Sequence, residues 1–211
     1  MFKIDHENKR RIGLKYILDS MNPLTPFGNE LLKNASTYPK DRLCELETEW
    51  YNIERAVKGL NEQKQEYERL MHILSQFRDI RNTLKKCREL TLSDVELFEL
   101  KRSLTLLGTF VPAFLSLNTE ANFKDMLLNS CSEAVTLLDP EGSGIPAFSV
   151  SSAYSEKLGL IRRQKTDIEK RIRSEKTQKK RDTLLFERSK IAAEEEGEEA
   201  EVRAMLSEKL R

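Results

Sequence analysis

LCELETEWYNIERAVKGLNEQKQEYERLMHIL, residues 43–74, is the stretch whose reading decides the fold. Apolar side chains recur at Leu43, Leu46, Trp50, Ile53, Val57, Leu60, Tyr67, Met71 and Leu74, three and four residues apart, with only Lys64 off the pattern. Such spacing holds one narrow stripe on one side of a helix over four heptads. The positions between are charged or amidic, among them Glu45, Glu47, Glu49, Glu54, Arg55, Lys58, Glu62, Glu66 and Arg69, as a solvated outer face requires. Gly59 is the weak point: it costs about 1 kcal/mol relative to Ala inside a helix and leaves a break near residues 59–61 possible. The stripe is either a seam between chains or a face that its own chain covers.

On the N-terminal side, Asp5 can cap a first helix through Ile12, Tyr16, Ile17 and Met21, ended by Asn22-Pro23. Thr25 then stands as an N-cap and Pro26 as the first residue of a short helix bearing Phe27, Leu31 and Leu32. Asp41 is the expected cap of the helix that carries the stripe. On the C-terminal side the period loosens through Phe77, Ile80, Leu84 and Cys87 after a bend at residues 75–77. Ser93-Asp94-Val95-Glu96 is a capping box, flanked by Leu92 and Leu97 as a hydrophobic staple. It starts a helix over residues 94–118, apolar on most sides, which should be the most buried segment and which Pro112 should kink or end. That helix offers the stripe an intramolecular surface, so residues 43–74 are expected to form the backbone of a monomeric helical core. A shorter helix is expected over residues 122–134, with 135–138 ambiguous.

Residues 139–154 are rich in Gly, Pro and Ser and read as a loop. From Ser155 one helix is expected to run to the C-terminus, with Leu158, Ile161, Lys165, Ile168 and Ile172 on a stripe that fades beyond Ile172. A helix polar all round projects from the body or is disordered. The expected architecture is therefore all-α: an elongated multi-helix core over 1–138, the loop, and a long projecting helix over 155–211 that lacks a returning partner.

Composition agrees with long solvated helices, at 34% charged residues against 8 Gly and 6 Pro in 211. No apolar run approaches the roughly 18 residues of a membrane span, and there is no leader-like h-region, so a cytoplasmic protein is expected. Cys44, Cys87 and Cys131 have no metal-ligand spacing and read as reduced thiols. His6 and His72 lie far apart, and zinc is not expected. Neither G-x-x-x-x-G-K-[ST], G-x-G-x-x-G nor G-x-S-x-G occurs, so neither nucleotide binding through those devices nor catalysis by this chain is expected.

Charge is the remaining signal. Residues 157–190 hold thirteen Lys/Arg against five Asp/Glu, a balance of +8, whereas 191–211 hold three against seven, a balance of −4. Lys176, Lys179, Lys180 and Arg181 form the densest cluster and are the candidate nucleic-acid-binding residues, able to neutralise backbone phosphates without reading sequence. The plainer alternative is that these cations solubilise a helix and pair with Glu169, Glu175 and Glu187.

Several motifs in order resemble the core domain of the MutS family of DNA mismatch repair and recombination proteins. These are Thr25-Pro26-Phe27-Gly28 with Leu31-Leu32; Arg42-Leu43 through Glu54; Asp79-Ile80 with Leu84; Ser93 to Leu97; and Asp139-Pro140-Glu141-Gly142, similar to the D-x-x-G-x-I loop before the lever helix of MutS2-like members. The resemblance spans roughly residues 10–175. It implies a core and lever that couple a C-terminal ABC-type ATPase to a clamp closing on double-stranded DNA, in a parent protein that binds ATP and Mg and is homodimeric. No mismatch-reading Phe-x-Glu wedge occurs, and neither the clamp tip nor the ATPase is expected within these residues, so the chain reads as a fragment with no small-molecule substrate of its own. A cytosolic coiled-coil interaction protein, pairing the stripes of 43–74 and 158–172 between chains, is the alternative.

Overall fold

Residues 6–35, 37–117, 131–145 and 147–211 are described by the structure, a computed structural model, and among them there are ten α-helices and no strand. The chain is all-α, as its periodicity implies. The first helix comes in two pieces, α1 (His6–Arg11) and α2 (Leu14–Ser20), parted at Gly13 with φ +74°. Gly alone takes that left-handed turn without steric cost. Helix α3 (Pro26–Lys33) starts as its residues dictate, with the Gly28 N–H donating to Thr25 Oγ1 at 2.9 Å and Pro26 in the first turn.

The organising stretch folds as two helices, α4 (Leu43–Glu62) and α5 (Lys64–Ser75). The break falls at Gln63, a few residues beyond the glycine, and the Tyr67 ring folds onto Gly59 so closely that a Cβ there would lie 2.6 Å from Cε2. Asp41 does not cap α4. It sits in a 3-10 turn, Lys40–Arg42, and the first turn is instead secured by an ion pair between Arg42 and Glu45.

The stripe itself is not buried. Leu43, Trp50, Ile53, Val57 and Leu60 are 55%, 63%, 59%, 55% and 41% exposed, which corrects the expectation that residues 43–74 form a covered core. Asn52 on the opposite face is buried, together with Leu70 and Ile73 of α5. The less exposed side of α4 carries Thr48, Tyr51, Asn52, Arg55, Ala56 and Gly59.

Helix α6 (Arg81–Glu89) leads to α7 (Asp94–Leu117), which opens on the capping box. The Ser93 N–H donates to Glu96 Oε2 at 2.9 Å, and Leu92 and Leu97 are 1% and 0% exposed. Lys86 closes on Glu96 at 2.5 Å, and with the Ser93 N–H it holds that carboxyl at about 2. Pro112 does not end α7. Burial is concentrated in the first half, at Leu97, Leu100, Lys101 and Ser103; in the second half Val111 is buried and Leu115 is 54% exposed. Most of the helix expected over 122–134 lies outside the described residues, while the ambiguous 135–138 belong to α8 (Ser132–Leu138).

The loop beginning at Asp139 is ordered by that residue. The Gly144 N–H at 2.7 Å and the Ser143 hydroxyl at 2.9 Å donate to its carboxylate, and these with Lys101 hold it at about 2. Gly142 and Gly144 take φ +61° and +64°, conformations that make the tight return possible.

Beyond Ser155 the single projecting helix gives way to two. Helix α9 (Glu156–Ser174) stops, residues 175–177 turn, and α10 (Gln178–Lys209) runs back along α9. The stripe of Leu158, Ile161, Ile168 and Ile172 therefore has its returning partner, and all four are buried. At its open end the hairpin joins a core of Cys87, Leu92, Leu97, Leu100, Leu138, Val150, Leu158, Val202 and Leu206. The division of the chain changes accordingly. One unit comprises residues up to 79 with α7 from Leu106 on; the other comprises 80–105 with the stretch from Ser132 to Arg211. The hairpin supplies Leu158, Val202 and Leu206 to the core of the second unit.

Candidate nucleic-acid interface

The α9–α10 hairpin places its charges by a simple rule of pairing. Near its base the acidic second half of α10 faces the cations of α9. Arg162 donates to Glu195 at 3.0 Å and to Glu199 at 2.8 Å, Lys165 pairs with Glu195, and Ser155 donates its hydroxyl to Glu198 at 2.7 Å while capping α9. Lys157 lies 2.5 Å from the other Glu198 oxygen in a close ion pair. Lys165 and Lys157 hold the Glu195 and Glu198 carboxyls below the usual range, so both stay charged. Toward the tip one more cross-link follows, Arg188 to Glu169 at 2.9 Å, above a small apolar cluster of Ile168, Ile172 and Leu184.

Past that cluster Lys170 pairs with Asp167 at 3.5 Å, and toward the turn no further ion pair follows among the described residues. Residues 171–181 carry six Lys/Arg and one carboxylate. That carboxylate, Glu175, takes the Thr177 N–H at 2.9 Å and is held below its ordinary value by this bond, with Lys180 contributing less. Lys176, Lys179, Lys180 and Arg181 are exposed, and among the described residues none of them forms an ion pair. The four candidates thus sit together at the turn and first helical turn of α10. Arg171 and Arg173, in the last turn of α9 and also exposed, bring two further cations that the sequence reading left out of the cluster. Their signal was present in the sequence, but only a hairpin brings the end of one helix beside the start of the next.

Of the three carboxylates weighed as neutralising partners, Glu169 pairs with Arg188 and Glu175 caps the turn, so neither is available to the cluster. The geometry suits a polyanion. Cations on two antiparallel helix ends and a short turn form one cluster of exposed Lys and Arg side chains.

A cavity of about 210 Å³ beside the Asp139 loop is the other polar concavity of note. Its groups satisfy one another: Asp139 is bonded as described, and Ser151 donates to Glu141 at 2.5 Å. Burial, and then the charges of Asp139 and Glu141, push the Tyr154 phenol up to about 12, so it remains protonated.

Among the described residues no group of three or more His, Cys, Asp or Glu side chains converges as a metal would require, and no helix is long and apolar enough to cross a membrane. The three cysteines are free, with Cys87 buried. His72 is exposed, and His6 has no described side chain. Comparisons with protein-family models, curated proteins and solved structures found no match to this chain.

Proposed function

We propose that this chain is the core and lever region of a MutS-like DNA repair or recombination protein, and that its basic hairpin tip contacts the DNA backbone. One observation carries the DNA contact: the six cations of residues 171–181 gather at one end of a helical hairpin with a single, already engaged carboxylate among them. The paired base and unpaired tip are what a lever with a phosphate-contacting end requires, since cations already closed on Glu195 and Glu199 are not free to displace counterions. The family reading rests on the ordered motifs from Thr25 to Gly142. In that reading α9 and α10 are the outgoing and returning lever helices, and movement of an ATP- and Mg-dependent ATPase in a homodimeric parent protein tilts them.

The test is fluorescence anisotropy of the protein with a labelled duplex of arbitrary sequence across a salt series. Affinity is expected to be sequence-independent and to fall on a log–log plot by about 0.9 per phosphate neutralised. Replacing Lys176, Lys179, Lys180 and Arg181 with Glu should abolish it while circular dichroism is unchanged. Binding that ignores both salt and these replacements overturns the role of the tip.

A further inference from the structure

We propose that the exposed apolar face of α4 is a docking site for the basic N-terminal segment, α1–α2, of a second copy of this chain. The face is a three-and-four seam of Leu43, Leu46, Trp50, Ile53, Val57 and Leu60, about 27 Å long at 1.5 Å per residue, and all but the half-buried Leu46 are at least 41% exposed. Such a seam is the surface that a partner helix covers. Trp50, at 63% exposure, is the natural anchor of the contact.

The flanks of the seam decide which helix. On a helical projection Glu47 and Glu54 border one edge and Glu49 the other. Among the described residues none of the three is in an ion pair. Two copies of α4 laid seam to seam would bring these carboxylates together, and like charges across a helical interface disfavour that pairing. The occupant is therefore basic as well as apolar.

Two other basic stretches expose apolar side chains, Leu84 and Leu90 around α6 and Leu185 and Phe186 of α10, but Lys86, Arg188 and Lys190 beside them are engaged by Glu96, Glu169 and the Phe186 ring. The N-terminal segment keeps its cations unpaired among the described residues. Along this segment Ile12 in the turn between α1 and α2, Tyr16 and Ile17 of α2, and Met21 just past its end are 65%, 80%, 51% and 50% exposed. Lys9, Arg10, Arg11 and Lys15 lie among them, and none forms an ion pair among the described residues. The hairpin tip, the other concentration of cations, has no exposed apolar side chain between residues 170 and 181 and so cannot fill the seam. Within one chain both faces remain open. In a twofold dimer each α1–α2 covers the other copy's α4, giving two identical contacts and a closed assembly. This inference is independent of the DNA contact at the tip.

The experiment is light scattering on the full chain over a concentration series at low and moderate salt, with three sets of variants. Wild type should reach twice the 24.5 kDa chain mass and dissociate more readily as salt rises. Trp50→Glu together with Ile53→Glu, Glu47→Lys with Glu49→Lys and Glu54→Lys, and Lys9→Glu with Arg10→Glu, Arg11→Glu and Lys15→Glu should each raise the dissociation constant at least about tenfold. Circular dichroism should stay unchanged, because these side chains lie at the surface. Mixing the two charge-reversed chains should restore a heterodimer, since both of its contacts are then complementary. A wild-type monomer at every concentration overturns the proposal. So does a dimer that survives the reversal of Lys9, Arg10, Arg11 and Lys15, or a mixture that stays monomeric.

Discussion

Ser207 shows how much a single side chain does in this protein. It is fully buried near the end of α10, its Oγ donates to the Arg203 carbonyl at 2.7 Å, and the Leu92 N–H donates to it at 2.8 Å. Leu92 precedes the α7 cap, so this hydroxyl ties the last turns of α10 to the start of α7. Ser207→Ala leaves the Leu92 N–H buried without a partner, and such a group costs about 1–3 kcal/mol. Urea unfolding should show a loss of that size, with hydrogen exchange fastest at the Leu92 amide. Arg203 extends the same junction, reaching Asp94 at 3.3 Å in the first turn of α7.

At the scale of elements, helix ends and seams decide the behaviour. Helix α7 starts where Ser93 and Glu96 satisfy each other's donors, and Glu96 also holds Lys86 of α6. The folded Glu96 carboxyl sits at about 2 against an ordinary 4.5, so the charged form is favoured by folding. Its contribution is present in full above pH 4.5 and is lost as pH falls toward 2. Glu96→Gln should cost about 1 kcal/mol at neutral pH. The gap between variant and wild type in chemical unfolding should narrow steadily in that acid window, and a gap independent of pH would contradict the assignment. The α9–α10 seam obeys a different chemistry. Going up α10, Leu184, Arg188, Ile191, Glu195, Glu198, Val202 and Leu206 all face α9 or the core, and three of these seven are charged.

For the molecule as a whole, the C-terminal helix is a component of the second unit and not an appendage. Val202 and Leu206 are 4% and 0% exposed and touch the cluster built from α6, α7, α8 and α9. Burying each such side chain contributes about 1.5–3 kcal/mol, against a total stability of about 5–15 kcal/mol for a typical domain. Ending the chain before Glu198 should therefore unfold the second unit. Helical circular dichroism should fall by more than the deleted residues account for, and amide protection should vanish at Leu97 and Leu100. Trp50 fluorescence belongs to the other unit and should change little.

What the sequence determined by itself is local: the all-helical class, the Thr25-Pro26 and Ser93-Glu96 starts, the bend after Ser75, the loop opened by Asp139, and the basic cluster at Lys176, Lys179, Lys180 and Arg181. Each depends on residues within a turn or two of one another, and such chemistry is written in the chain. Tertiary structure alone decided which apolar faces find cover. The seam of α10 is hidden in the sequence because Arg188, Glu195 and Glu198 occupy positions where apolar residues would complete the period, and only their partners on α9, Glu169, Arg162, Lys165 and Ser155, reveal it as one face. The stripe of α4 is plain in the sequence and is left open, because periodicity specifies that a helix has a sticky side but not what it adheres to.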